Sequence, residues 1–96
     1  MNDYSRLYSE LELRINGVMS ALRGTLTEVE RAEVSRFLNV REYGLALDTL
    51  CYILVEEDKP IEITVLHEID NIADMMHLRD ERFMYNLHNS YDLKSQ

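Results

Sequence analysis

Apolar residues recur at helical spacing along most of the chain and are densest between Asn39 and Pro60. There, positions 43, 46, 47, 50, 51, 54 and 55 follow the i, i+3, i+4, i+7 rule. Leu45 and Ile53 fill much of the remaining circumference, and a helix that is apolar on nearly all sides is expected to be buried. The pattern predicts a central buried helix over residues 40–58, opened by Asn39. Its narrow polar stripe consists of Asp48, Thr49, Tyr52 and Glu56.

Two amphipathic helices are predicted before the central helix. The first runs from about Asp3 to Leu22, and its apolar residues form a heptad-spaced seam: Tyr4, Tyr8, Leu11, Ile15, Val18 and Leu22. We expect this seam to pack within the molecule, while a homodimer through helix one stays open as an alternative. The second spans about Glu28 to Leu38 and begins with a capping box between Thr27 and Glu30. Its core candidates are Val29, Ala32, Phe37 and Leu38.

Two further helices are predicted after the central one. Thr64 is expected to cap the fourth, from about Val65 to His77. Its polar face carries His67, Glu68, Asp70, Asn71, Asp74 and His77. Asp80 is expected to cap the fifth, from Glu81 to about His88. The tail from Asn89 to Gln96 lacks periodicity and is expected to fray.

Length and composition indicate one all-α domain over residues 1–96. A chain of 96 residues buries a single small core, and its apolar fraction of 46% is that of a soluble globular protein. The sequence contains no run of 18 apolar residues, so no membrane span is predicted. The first residues lack the features of a secretory signal. The lone Cys51 is expected to be a buried apolar side chain in a reducing cytoplasm. We therefore expect a compact bundle of four to five short helices around the central helix.

The net charge of −8 is unevenly distributed along the chain. Residues 1–41 carry six acids and six bases, whereas residues 42–81 carry eleven acids against Lys59 and Arg79. Such a field repels nucleic acid and anionic lipid and attracts basic partners, so neither nucleic acid nor membrane is expected as a partner. The alternative interpretation is that the acidity only keeps a small protein soluble.

No constellation of residues indicates catalysis or a cofactor. The three glycines are isolated from one another, which excludes a glycine-rich phosphate loop, and Cys51 has no basic neighbour in sequence. The best metal candidates lie on helix four but span about 15 Å at 1.5 Å per residue, which is too long for one ion. They are His67, Asp70, Asp74 and His77. We expect a solvated polar face there, and a protein that is not an enzyme and holds no cofactor or metal.

The segment from Glu42 to Cys51 reads Glu-Tyr-Gly-Leu-Ala-Leu-Asp-Thr-Leu-Cys and resembles the core of the MafI-family immunity proteins. The resemblance covers about residues 35–78 and continues in Leu54, Glu56, Glu57, Asp58, Ile61 and Ile63. Proteins of this family are small bacterial proteins encoded beside polymorphic secreted toxins, and related roles occur in contact-dependent inhibition systems. The resemblance implies a cytoplasmic protein that binds and neutralises one cognate toxin domain.

The acidic charge gives an independent reason to expect a basic protein partner. Many such toxins are nucleases, which need basic surfaces to hold phosphate, and an inhibitor can cover such a surface with carboxylates. We expect the contact residues to be Asp48, Tyr52, Glu56, Glu57, Asp58, Glu62, Asp70 and Asp74. Tyr52 would be the anchor of the interface. The alternative functions are an acidic helical adaptor or secretion chaperone that self-associates through helix one, and a small enzyme.

Overall fold

The computed structural model describes residues 4–95, and within that range the chain forms five α-helices and no strand. They are α1 (Tyr4–Ala21), α2 (Glu28–Asn39), α3 (Tyr43–Glu56), α4 (Ile63–Met75) and α5 (Arg82–Lys94). The molecule measures 49 × 28 × 20 Å. The all-α prediction is confirmed. The predicted start of helix one at Asp3 and the last residue of the predicted tail, Gln96, lie outside the described residues.

α3 is the helix on which the others are assembled. It packs against α2 on one side and α5 on the other, and it also contacts α1 and α4, which pack mainly on each other. Its buried side chains are Tyr43, Ala46, Leu47, Leu50, Cys51, Ile53 and Leu54. The predicted central position is therefore confirmed, but α3 keeps a wider exposed side than expected, because Leu45 as well as Tyr52 faces water.

The chain reverses after α2, α3 and α4 through the same backbone motif. Arg41, Asp58 and His77 have left-handed backbones with φ of 60°, 52° and 57°. The next amide in each case donates to a carbonyl five residues earlier: Glu42 N to Phe37 O at 2.9 Å, Lys59 N to Leu54 O at 3.0 Å, and Leu78 N to Ala73 O at 2.8 Å. This is the Schellman arrangement, which satisfies the last carbonyls of a helix.

Helix caps show where local signals held and where they failed. The Thr27–Glu30 capping box is confirmed, with both reciprocal hydrogen bonds present. The predicted cap at Asn39 is wrong, because Asn39 is still helical in α2 and the chain needs the Arg41 reversal before α3 begins. The residues that precede α4 and α5 are Glu62 and Glu81, rather than the predicted Thr64 and Asp80, and neither makes a side-chain cap.

Packing corrects the predicted buried faces of α1 and α2. Val29 is 70% exposed and Ala32 also faces water, whereas Val34 is fully buried. Only the stripe of Val34 and Leu38 is buried in α2, which packs mainly on α3. In α1 the seam is buried from Leu11 onward, but Tyr4 and Tyr8 stay exposed.

α5 extends one and a half turns beyond the predicted end at His88, so the expected fraying of the tail is wrong through Lys94. Tyr91 packs against the core, one turn after the buried Leu87. Lys94 Nζ donates to the carbonyl of Lys59 at 2.8 Å and lies 3.2 Å from Asp58 Oδ1. Tertiary contacts therefore hold a segment that was expected to fray.

Candidate functional site

A long groove separates the exposed stripe of α3 from the neighbouring stripe of α5. Two hollows of about 340 and 420 Å³ both border Val55, Glu56 and Asn86, so they form one continuous depression, here called the α3–α5 groove. Its α3 wall consists of Asp48, Cys51, Tyr52, Val55, Glu56 and Asp58. Its α5 wall consists of Glu81, Arg82, Phe83, Asn86, Asn89, Ser90, Leu93 and Lys94. The groove brings four of the predicted contact residues beside α5, a helix on which no contact residue was predicted.

The α3 wall is held in place by the helix core behind it. Asp48, Tyr52 and Glu56 are spaced four residues apart, so they lie in one row and Asp48 and Glu56 are about 12 Å apart along the axis. The opposite face of α3 carries Leu47, Leu50 and other fully buried side chains. These buried side chains are closely packed and hold α3 in a fixed position. The backbone that carries the row is therefore rigid.

The carboxylates in this row are available to a partner. Asp48 and Glu56 are exposed and make no ion pair within residues 4–95. Asp58, at the end of the groove, lies 3.2 Å from Lys94 Nζ but its side chain is 83% exposed. An exposed carboxylate without an internal cation gives up little when it pairs with an external one.

Tyr52 stands between the two carboxylates and is 63% exposed. A tyrosine combines a large apolar ring with a hydroxyl that bonds water or a partner, which suits the centre of a protein interface. On the α5 wall, Leu93 is also exposed and Phe83 is half-buried. The groove is therefore amphipathic rather than simply acidic.

The remaining predicted contact residues lie apart from the groove lining. Glu57 and Glu62 are exposed at the end of α3 and the start of α4, without ion pairs in the described part of the chain. Asp74 is exposed on α4 but lies 2.8 Å from Arg79 Nη1. Its charge is thus already compensated within the molecule.

The sequence predicted that Asp70 lies on the exposed face of α4. This prediction is wrong, because Asp70 is only 5% exposed. His88 Nε2 lies 2.6 Å from its Oδ1, and Arg79 Nη2 lies 3.4 Å from its Oδ2. We call Asp70, Asp74, Arg79 and His88 the Asp70 cluster. The prediction failed because α5 brings His88 over this side of α4, and Asp70 therefore serves the packing of the two helices.

Sequence reasoning missed the second half of the α5 wall, from Asn89 to Lys94, because it ended the last helix at His88. Met84, Leu87 and Tyr91 are spaced i, i+3, i+7, and this spacing was a signal that the helix continues. With the longer helix, Asn86, Asn89 and Leu93 fall on one face. That this face would lie beside the exposed row of α3 is decided by packing and has no local signal.

The thiol of Cys51, which lines the groove, is buried and not activated for covalent chemistry. Burial raises the pKa of the Cys51 thiol well above its ordinary value, which keeps it protonated and unreactive. Within the described chain, no three His, Cys, Asp or Glu side chains are arranged to hold a metal ion.

Comparisons with family models, curated proteins and solved structures found no match for this chain. None of the helices within residues 4–95 has both the length and the apolar character that crossing a bilayer requires. Function is therefore inferred from the geometry and the charge of the groove, together with the sequence resemblance described above.

Proposed function

We propose that this protein is a non-enzymatic immunity protein of the MafI type, which binds and neutralises a basic toxin domain in the cytoplasm. The observation that carries the proposal is the row of Asp48, Tyr52 and Glu56, in which an exposed aromatic ring lies between two carboxylates that make no ion pair with any residue from 4 to 95. Lysine and arginine side chains of the toxin pair with the carboxylates, and apolar groups of the toxin cover the ring.

Charge and shape have separate roles in this proposal. The net charge of −8 raises the association rate with a positively charged protein, toward 10⁸ M⁻¹s⁻¹ or about tenfold more at low salt. Tyr52 and the groove lining slow dissociation, because an aromatic anchor in a depression excludes water around the charged contacts. A nuclease is the favoured toxin class, since a nuclease must present cationic groups to phosphate.

The resemblance to the MafI family supports the proposal through α3. The resembling segment builds the first half of this helix, and most of its apolar residues are buried in the core: Tyr43, Ala46, Leu47, Leu50 and Cys51. The segment therefore specifies the scaffold that presents the exposed row. Asp48 and Cys51 are the members of the segment that line the groove, and of these two Asp48 is exposed.

The direct test uses the reading frame beside the gene of this protein. If that frame ends in a basic domain, the domain should co-purify with this protein, and its toxicity or nuclease activity should disappear at a one-to-one ratio. Absence of binding, or an unchanged toxin activity in the complex, would refute the immunity function. Turnover of a nucleic acid or peptide by this protein alone would refute the non-enzymatic part.

One observation favours the alternative function, an acidic adaptor or secretion chaperone that self-associates through helix one. Tyr8 is 41% exposed, and its ring contacts the ring of buried Tyr43 in a tilted arrangement with 5.7 Å between the centroids, so the N-terminal end of the α1 seam stays open to a second copy. Ile15 is fully buried in the monomer, so it cannot serve the dimer. Sedimentation should detect a dimer that Tyr8→Glu abolishes; a monomer at all concentrations would exclude this function.

A further inference from the structure

We infer that the α3–α5 groove receives an amphipathic cationic α-helix of the partner, laid lengthwise between its two walls. The inference rests on the proposed function, because it specifies which structural element of a basic protein occupies this groove. Three observations support it: the spacing of the exposed residues on both walls, the distance between the carboxylates, and the backbone hydrogen bonding of α3 and α5.

Both walls of the groove have the spacing of a helix-packing seam. On the α3 wall, Asp48, Tyr52 and Glu56 follow one another at intervals of four, and Cys51 and Val55 come three residues after Asp48 and Tyr52. Arg82, Asn86, Asn89 and Leu93 follow at intervals of four, three and four on α5. The two helices run in the same direction, because Asp48 and Arg82 border one end of the groove while Asp58 and Lys94 meet at the other. Seams with these intervals pack against helices that lie nearly parallel to them.

The spacing of the two carboxylates in the exposed α3 row matches the repeat of a helix. Asp48 and Glu56 are about 12 Å apart along the α3 axis, and helix residues seven or eight positions apart are separated by about 10–12 Å. Two lysines or arginines at that spacing therefore reach both carboxylates at once. Apolar residues midway between these cations would then meet Tyr52 and Phe83. The side-chain amides of Asn86 and Asn89 add uncharged hydrogen-bonding groups on the opposite wall.

Backbone chemistry favours a helix over an extended segment as the occupant. An extended peptide binds well when a sheet edge pairs with its backbone amides and carbonyls. α3 and α5 use their own backbone groups internally and provide no such edge. A helix brings its backbone hydrogen bonds with it and needs only side-chain contacts, so it loses little when it enters this groove.

Two synthetic peptides of identical composition test the inference without knowledge of the natural partner. The first is an alanine-based helix with lysines seven residues apart and leucines three and four residues after the first lysine. The second permutes the same residues so that lysine and leucine no longer share a face. In titrations of the ¹⁵N-labelled protein, the first peptide should shift amide signals along the groove, gain helicity and bind at least about tenfold more tightly than the second.

Matched tyrosine variants locate the binding. Tyr52→Ala should weaken binding of the first peptide by about tenfold, since an aromatic anchor at the centre is lost. Tyr85→Ala is the control, because Tyr85 is equally exposed at 68% on α5 but does not line the groove. Equal affinity for both peptides, equal effects of the two variants, or signal shifts outside the groove would each overturn the inference.

Failure of this inference is distinguishable from failure of the proposed function. Hydrogen exchange on a complex with the neighbouring basic domain reports which segments of both proteins become protected. If that domain binds but protects α4 instead of the groove, or contributes a loop or strand, the helix inference is wrong and the immunity function stands. If that domain does not bind at all, the function is wrong, and the peptide titrations still decide whether the groove takes a helix.

Discussion

Carboxylates occur on both α3 and α4, but the two helices use them differently. On α3, Asp48 and Glu56 border an open groove and have no ion pair within residues 4–95. On α4, Asp70 is buried against His88 and Arg79, and exposed Asp74 contacts Arg79 as well. The first group remains available for an external cation, whereas the second already contacts the guanidinium of Arg79 within the molecule.

The position of α5 produces this difference. α5 brings His88 onto Asp70 of α4, while beside α3 it lines the far wall of the groove and leaves the exposed row uncovered. A buried carboxylate is costly to leave without a partner, so the Asp70 cluster is tied to folding. An exposed carboxylate contributes little to folding, and is therefore free to be used in binding.

The largest expected effect is on binding, from charge reversal at the groove. Asp48→Lys with Glu56→Lys should lower the affinity for the basic partner domain by at least about 100-fold, or about 2.7 kcal/mol, because two attractions become repulsions. Titration calorimetry measures the affinity, and the urea midpoint should stay close to that of the unaltered protein.

The matched control changes the net charge by the same amount elsewhere. Glu12→Lys with Glu33→Lys alters two exposed acids that have no ion pairs in the described chain, on α1 and α2. This variant should lose only the long-range part of the attraction, a few-fold at about 0.15 M salt. If both double variants weaken binding equally, net charge rather than the α3–α5 groove determines recognition.

The second effect is on stability, from the Asp70 cluster. His88→Ala removes the closest partner of the buried Asp70 carboxylate and leaves only Arg79, so the free energy of unfolding should fall by about 2 kcal/mol. Asp74→Ala, which removes an exposed partner of Arg79, should cost less than about 1 kcal/mol. Urea denaturation measures both. Partner affinity should be unchanged in either variant, and a loss of affinity would mean that the Asp70 cluster contributes to the interface.

A smaller, stabilising effect is expected at the end of α4. His77 has a left-handed backbone with φ of 57°, which costs a side chain about 1 kcal/mol relative to glycine. His77→Gly should therefore raise the free energy of unfolding by up to about 1 kcal/mol. Asp58→Gly at the equivalent position after α3 should gain less, because it also removes the contact with Lys94. If the free energy of unfolding rises equally in the two variants, the surface ion pair between Asp58 and Lys94 contributes nothing to stability.

Glu30 on α2 represents a third situation, in which a carboxylate caps its own helix. A hydrogen bond from the Thr27 amide, and then the ammonium of Lys59 at 3.0 Å, hold the pKa of Glu30 below its ordinary value. The ionised form therefore stabilises the fold above the pKa of the unfolded chain, and this contribution is lost as pH falls through the folded pKa. The difference in unfolding free energy between the unaltered protein and Glu30→Gln should shrink on acidification; a constant difference would contradict the assignment.

Features that depend on neighbours in sequence were predictable here. The Thr27–Glu30 box forms because its two hydrogen bonds join residues three apart, and the apolar face of α3 follows from a spacing that the helix itself imposes. The predictions for Asn39 and for the tail after His88 were wrong because both depend on features that neighbouring residue types do not specify. Arg41 adopts a left-handed backbone that its residue type does not favour, and Lys94 is held by Lys59 far away in sequence.

The candidate site divides in the same way. The row of Asp48, Tyr52 and Glu56 could be read from the amino-acid sequence, because positions four apart share a helix face. The burial of Asp70 could not be predicted, because an aspartate on the polar side of a helix is exposed or buried according to what packs over it. Likewise, the sequence could not predict that α5 forms the second wall of the groove, because this depends on the packing of α5 beside α3.

By itself, the amino-acid sequence determined that this protein is all-α, that α3 lies at its centre, and that acidic charge is concentrated in its second half, because helical periodicity and composition are local properties. Only the tertiary structure decided which carboxylates face a groove and which are neutralised inside the molecule. The physical reason is that solvation and ion pairing depend on the distance between side chains in space, and the packing of α5 sets those distances.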